Sequence, residues 1–135
     1  MNKENNASQT GQEHKKVIVV AEDDMMYKYL LLYNLNDRRY GVKMFGNGRD
    51  AMYFMNNNRF DLLITGLNMP LINGLELIWH VRKVVSATVP IIAMSTTSEE
   101  RVKSRVKILG ATCFMEKPFL ITDLATCITS LIEGI

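Results

Sequence analysis

No run of apolar residues in the chain approaches the roughly 18 needed to cross a bilayer. The opening stretch, MNKENNASQTGQEHKK, lacks the apolar middle of a signal peptide. Charge is nearly balanced, at +2 over 135 residues, too small an excess for a general binder of nucleic acid or of membrane surfaces. Cysteine is scarce: Cys113 and Cys127 show neither metal-ligand spacing nor a multi-bridge framework. They read as reduced, largely buried thiols of a cytoplasmic protein. No repeat, linker or low-complexity tract divides the chain. What is present is apolar side chain, 47% of the residues, enough for one core without staples. Residues 1–16 read as a disordered lead or an expression remnant, with His14 incidental, and residues 17–135 as one folded domain.

The domain alternates short apolar runs with helical patterns. Val17-Ile18-Val19-Val20-Ala21 is short and β-branched, which favours a strand buried on both faces. After Glu22-Asp23-Asp24, a helix is expected from Met25 to Asn36 with Met26, Leu30 and Tyr33 on its apolar face. Tyr40-Gly41 reads as a turn into a mixed strand, residues 42–45, which Asn47-Gly48 closes. A short helix with Ala51, Met52 and Met55 follows and ends at Asn56-Asn57-Asn58, since Asn tolerates the left-handed conformation. Leu62 to Thr65 is the third strand, and a helix from Gly74 carries Leu75, Ile78, Val81 and Val85. Residues 89–94 form a fourth apolar strand, and Thr97-Ser98-Glu99-Glu100 reads as a capping box for a helix with Val102, Val106 and Leu109 inward. Residues 112–115 are a mixed fifth strand, and the last helix, 121–132, turns Leu124, Ile128 and Leu131 inward. Alternating strands and helices imply an α/β domain with a parallel sheet covered on both faces. The purely apolar strands belong at its centre and the mixed ones at its edges.

In such a sheet, ligands bind beyond the carboxyl ends of the strands. The first strand delivers Glu22 and Asp23 there, the third Gly66 with Asn68 beyond it, the fourth Ser95 and Thr96, and the fifth Lys117 followed by Pro118. Carboxylates, a hydroxyl and an ammonium on one edge are the groups of a small cation-plus-phosphoryl site.

The blocks VIVVAEDD, DLLITGLNMPLING, VPIIAMST and GATCFMEKPF resemble, in order and spacing, the CheY-like receiver domains of two-component response regulators. The resemblance covers residues 16 to 133 and implies a flavodoxin-like (βα)5 fold with strand order 2-1-3-4-5. It implies that Glu22 and Asp23 are the acid pair that holds Mg²⁺, with the backbone carbonyl of Asn68 as a further ligand. Ser95 matches the hydroxyl that contacts the phosphoryl group, Lys117 the lysine that pairs with the acceptor, and Phe114 the aromatic switch residue. The Lys117–Pro118 peptide is expected to be cis.

Gly66 stands where the family carries its phosphoacceptor aspartate, and glycine offers no carboxylate. Asp61 lies five residues back, roughly 16 Å along a strand at about 3.3 Å per residue, and Thr65 should face the other way. The expectation is therefore a degenerate receiver, not an enzyme, with weakened Mg²⁺ binding and with Lys117 leaning on Asp23. It would act by phosphorylation-independent contact with a histidine kinase, a phosphotransfer protein or a downstream effector. The contact would use the face made by the fourth helix, fifth strand and fifth helix, which would also serve a homodimer. Nucleic acid and membrane are not expected partners. Arg101, Lys103, Arg105 and Lys107 ring the fourth helix, as a solvated face or as a docking face; Trp79 and His80 suggest no role. No output domain follows Ile135, so the effect passes through a partner, or the chain is part of a larger regulator. The alternatives are an ordinary Mg²⁺-dependent receiver with an engineered or recent Asp-to-Gly change, a receiver phosphorylated at an unusual residue such as Asp23, and a flavodoxin-like cofactor binder. The last would need a Ser/Thr/Gly-rich loop where Glu22-Asp23-Asp24 stands.

Overall fold

The computed structural model describes residues 15–134. Of the expected lead at residues 1–16, residues 1–14 with His14 lie outside the described residues, as does the final Ile135. Strands are β1 (Lys16–Ala21), β2 (Tyr40–Phe45), β3 (Leu62–Gly66), β4 (Ile91–Ser95) and β5 (Cys113–Glu116). Helices are α1 (Met25–Leu35), α2 (Gly48–Asn57), α3 (Gly74–His80), α4 (Glu100–Leu109) and α5 (Ile121–Glu133). All pairings are parallel, in the order β2-β1-β3-β4-β5, so the two mixed strands are the edges as their composition implies.

Side-chain alternation along the strands divides the core between the two faces of the sheet. Val19, Ala21, Leu63, Ile91 and Ala93 pack with Ala51 and Met55 of α2, Leu77 and Ile78 of α3, and Val106 of α4. Ile18, Val20, Leu62, Ile64, Ile92 and Met94 pack with Leu31 and Leu35 of α1 and Leu124 and Ile128 of α5. β3 and β4 are buried along their whole length. Each large aliphatic side chain so placed contributes about 1.5–3 kcal/mol relative to exposure.

Several local expectations are corrected. β1 begins at Lys16, paired with Tyr40, one residue ahead of the expected strand. Tyr40 is a buried strand residue and not a turn. α1 buries Tyr27, Leu31 and Leu35, while Met26 and Tyr33 are 69% and 88% exposed. That helix is apolar nearly all round, so spacing does not select a face; its phase follows the cap at Asp24, whose carboxylate accepts from the Met26 and Tyr27 amides. α2 ends with Asn58 in an extended conformation, and the Asn57 and Asn58 side chains donate to the carbonyls of Tyr53 and Phe54. The box expected at Thr97 does not form: α4 starts at Glu100 with no side-chain cap, and Thr97 Oγ1 accepts from Glu99 N. A capping box forms on α3, where Asn73 and Glu76 each accept the other's amide. The helix expected to run to Val85 becomes a π-helical turn over Val81–Val85.

Because every strand runs the same way, all carboxyl ends lie on one edge. The loop after β3 doubles back tightly, and Gly74 N donates to Leu67 O. A Cβ on Gly74 would collide with the Gly66 carbonyl oxygen, so the start of α3 can approach the end of β3 only through glycine.

Candidate functional site

Glu22 leaves β1 at the sheet's carboxyl edge and turns inward, with 2% of its surface exposed. Its Oε2 accepts from the Asp24 amide at 2.9 Å, and its Oε1 accepts from Lys117 Nζ at 2.8 Å. Lys117 reaches this point from the end of β5, where its backbone N–H donates to Ser95 O at 2.8 Å. The Lys117–Pro118 peptide is cis, as expected. The ammonium also lies 4.3 Å from the centre of the Tyr27 ring, a cation–π contact from the first turn of α1. Lys117 thus pairs with Glu22, the first acid of the loop, and does not lean on Asp23 as expected. Asp23 is exposed, and Asp24, next to it, is spent on capping α1.

The Glu22 carboxylate lies over Gly66. A Cβ built on Gly66 would fall 2.8 Å from Glu22 Oε1, 3.3 Å from its carboxyl carbon and 3.4 Å from Oε2. The space in which a side chain at position 66 would begin is filled by the end of Glu22. With Lys117 on one oxygen and a backbone amide on the other, the carboxylate is neutralised and hydrogen-bonded, the condition for keeping a charge in so closed a place.

Ser95 ends β4 on the same edge, 7% exposed, with its Oγ accepting from the Thr97 amide at 3.2 Å. Asn68 is exposed in the loop after β3. Phe114 stands apart from the Glu22–Lys117 pair: it is half-buried, packs against the core of the α2–α3–α4 face, and has Lys103 Nζ 5.7 Å from its ring centre. Thr65 does face away, buried, with its hydroxyl donating to Gly66 O. Asp61 is fully engaged at the other end of the sheet, accepting from and donating to Val17.

The Mg²⁺ implied by the resemblance can be tested on the donors present. Both Glu22 oxygens are occupied, Gly66 brings none, and Asp23 is directed to solvent-exposed surface. Among the described residues no group of three or more His, Cys, Asp or Glu is disposed to hold a metal, and no buried side-chain nitrogen or oxygen lacks a hydrogen-bond partner. In this arrangement the residues do not fit a tightly held divalent ion.

Two features carried no signal in the sequence. The Tyr27 contact depends on the rotation of α1, which spacing left open. The two cysteines, expected to be unremarkable buried thiols, are half-buried and in contact, with Sγ atoms 2.8 Å apart. Around α4, Arg101 pairs with Glu99, and Lys103 with Glu100 and Glu116, which joins α4 to β5 at the surface. His80 Nε2 lies 2.8 Å from Asn56 Oδ1, and Trp79 is half exposed.

Comparison with known proteins agrees with this architecture. Residues 18–129 match the model of the response regulator receiver domain. The chain is 30% identical over 118 residues to the probable transcriptional regulator ycf29 of Porphyra purpurea, covering 85% of this chain and 56% of that one. It is 34% identical over 102 residues to the uncharacterized transcriptional regulatory protein YrkP of Bacillus subtilis, covering 76% of this chain and 43% of that one. Among solved structures, the chemotaxis response regulator CheY4 of Vibrio cholerae superposes with a TM-score of 0.80 at 26% identity, covering 87% of this chain and 98% of that one. The chain spans about half the length of the curated relatives it matches. With the five-stranded order, the acid loop after β1 and the lysine–cis-proline end of β5 in place, the chain belongs to the response regulator receiver domains of two-component signalling.

Proposed function

We propose that this receiver domain is degenerate at its phosphoacceptor position, Gly66, and signals by phosphorylation-independent contact with protein partners. The observation that carries the reading is the Glu22 carboxylate, seated over Gly66 and paired with Lys117 at 2.8 Å. An aspartyl phosphate needs a carboxylate at the end of β3, and none is there. The lysine that would meet that carboxylate is already neutralised from β1. Ser95 and Phe114 retain the types and positions of the phosphoryl-contact and switch residues, so the edge keeps the outline of the family site without its acceptor.

The receiver domain of the sensor histidine kinase PA1611 of Pseudomonas aeruginosa coordinates a magnesium ion in its active site cleft. Here Glu22, Asp23 and the Asn68 carbonyl would hold it weakly, because recruiting Glu22 requires breaking its bond to Lys117. The surface formed by α4, β5 and α5 is the proposed contact for a kinase, a phosphotransfer protein, an effector or a second copy. On this reading the domain, from Lys16 onward, works in the cytoplasm as a binding module and not as an enzyme; among the described residues no helix is long and apolar enough to cross a membrane.

The test is incubation with acetyl phosphate and Mg²⁺, beside the Gly66→Asp variant, read by intact mass. This sequence should gain no phosphoryl group, whereas the variant should gain one that is lost on mild alkaline treatment. A phosphoryl adduct on the unaltered chain would overturn the proposal. The variant arm also separates a recent loss of the acceptor in an intact site from a site that has decayed further.

A further inference from the structure

Outside the Glu22–Lys117 site, the sulfurs of Cys113 and Cys127 form a second pair of reactive groups. Cys113 opens β5, in register with Ile92, and Cys127 lies on α5 between Leu124 and Ile128. Both side chains pack against the core of the α1–α5 face and are only half-buried. Their sulfurs are 2.8 Å apart, roughly 0.8 Å beyond the ~2.05 Å of a disulfide bond. We propose that Cys113 and Cys127 are an oxidisable dithiol whose disulfide staples α5 to β5, with a hydroperoxide as the oxidant.

The chemistry follows from the two environments. Burial, followed by the hydrogen bond to Cys113, pushes the Cys127 thiol up to about 12, so Cys127 keeps its proton at neutral pH. The two sulfurs are close enough for either to attack first. Where Cys113 attacks, its thiolate takes one oxygen of hydrogen peroxide, the O–O bond breaks, hydroxide leaves and Cys113 becomes a sulfenic acid. Cys127 sulfur then displaces the sulfenic oxygen, which departs as water with the proton Cys127 had retained. Two thiols and one peroxide yield one disulfide and two waters, and a dithiol reductant reverses the outcome. The bridged segment runs from Cys113 to Cys127 and contains Lys117, so oxidation would constrain the strand end that supplies the ammonium to Glu22.

The experiment uses the full chain, treated with hydrogen peroxide and then alkylated. The expected product is a monomer lighter by two hydrogens, with both thiols protected from alkylation and one cross-linked peptide pair joining Cys113 to Cys127. Dithiothreitol should restore both thiols. The bridge should raise Tm by roughly 10–15 °C, the scale for closing a loop of about 15 residues. Cys127→Ser should instead add oxygen at Cys113, form no bridge and show no Tm rise; Cys113→Ser serves as the second variant if the first folds poorly. The proposal is overturned if the treated protein still alkylates at both cysteines, if its main product is a disulfide-linked dimer of chains, or if Cys127→Ser shows the same rise in Tm.

Discussion

Removing Lys117 should harm this protein more than removing Glu22, and removing both should harm it least. In Lys117→Met the Glu22 carboxylate remains 2% exposed, with the Asp24 amide as its one recorded partner. Breaking a buried pair from one side typically costs about 3–5 kcal/mol. With a urea dependence of about 1.5 kcal/mol per molar, the midpoint of unfolding should fall by about 2–3 M. In Glu22→Gln the ammonium still meets an amide oxygen and the face of Tyr27, 4.3 Å away. A cation–π contact of this kind offers about 0.5–2 kcal/mol, so the loss should be about 1–3 kcal/mol. The double variant leaves no unpaired charge and should lie nearer the parent than Lys117→Met does. Urea titrations followed by circular dichroism give all four corners of the cycle, and its coupling energy should exceed about 1 kcal/mol. Strict additivity, or single-variant losses below about 0.5 kcal/mol, would mean that the two groups are hydrated separately and that the argument from Gly66 fails with them.

Three other outcomes follow from the same coordinates. Gly66→Ala places a Cβ 2.8 Å from a carboxylate held at both oxygens; despite the usual gain of about 0.4–1 kcal/mol from replacing glycine, the net effect on chemical denaturation should be a loss of about 1 kcal/mol. Millimolar Mg²⁺ should leave Tm unchanged in the parent and raise it in Gly66→Asp, where a third acid crowds Glu22 and Asp23; a parent that responds equally would contradict the donor arrangement. Tyr40 is 2% exposed, and burial, with its hydroxyl donating to Glu133 at 2.9 Å, raises its pKa above the usual value. A raised folded value means stability fully present below about pH 10 and lost as pH climbs through that higher value. Thermal melts of the parent and Tyr40→Phe should therefore converge as pH rises above about pH 10, whereas a constant gap would place no titration at Tyr40.

Which strands lie at the sheet's centre was legible because burial on both faces writes itself as uninterrupted apolar runs; the order 2-1-3-4-5 was implied by the family resemblance. VIVVA, LLIT and PIIAM leave little freedom in where the sheet's centre lies. The phase of α1 was not legible. In MMYKYLLLYNL every rotation exposes some apolar side chain, and the choice was made by the Asp24 cap and by contacts with the rest of the fold. The partner of Lys117 was hidden for a related reason: Glu22 and Asp23 are adjacent, and only the turn after β1 decides which one points inward. The cysteine contact joins a strand to a helix across fourteen positions, a distance over which no periodicity reports.

These details change what the absence at Gly66 means. A receiver that merely lost its acceptor would be left with an unpaired lysine and an open acid pair, both costly in a partly buried site. This chain shows neither. Glu22 fills the space beside Gly66, and its carboxylate pairs with Lys117. Such a site, on the proposed reading, has little to gain from an added phosphoryl group, since the ammonium that would bind it is paired with Glu22. On the proposed reading, any change of conformation must then come from binding energy delivered at the outer surface, or from the sulfur pair behind β5. The orientation of Glu22 is the quantity to follow. In the parent it should stay on Lys117 whatever phosphodonor is present, and in Gly66→Asp it should be displaced, which a carboxylate-labelled Glu22 resonance would report directly.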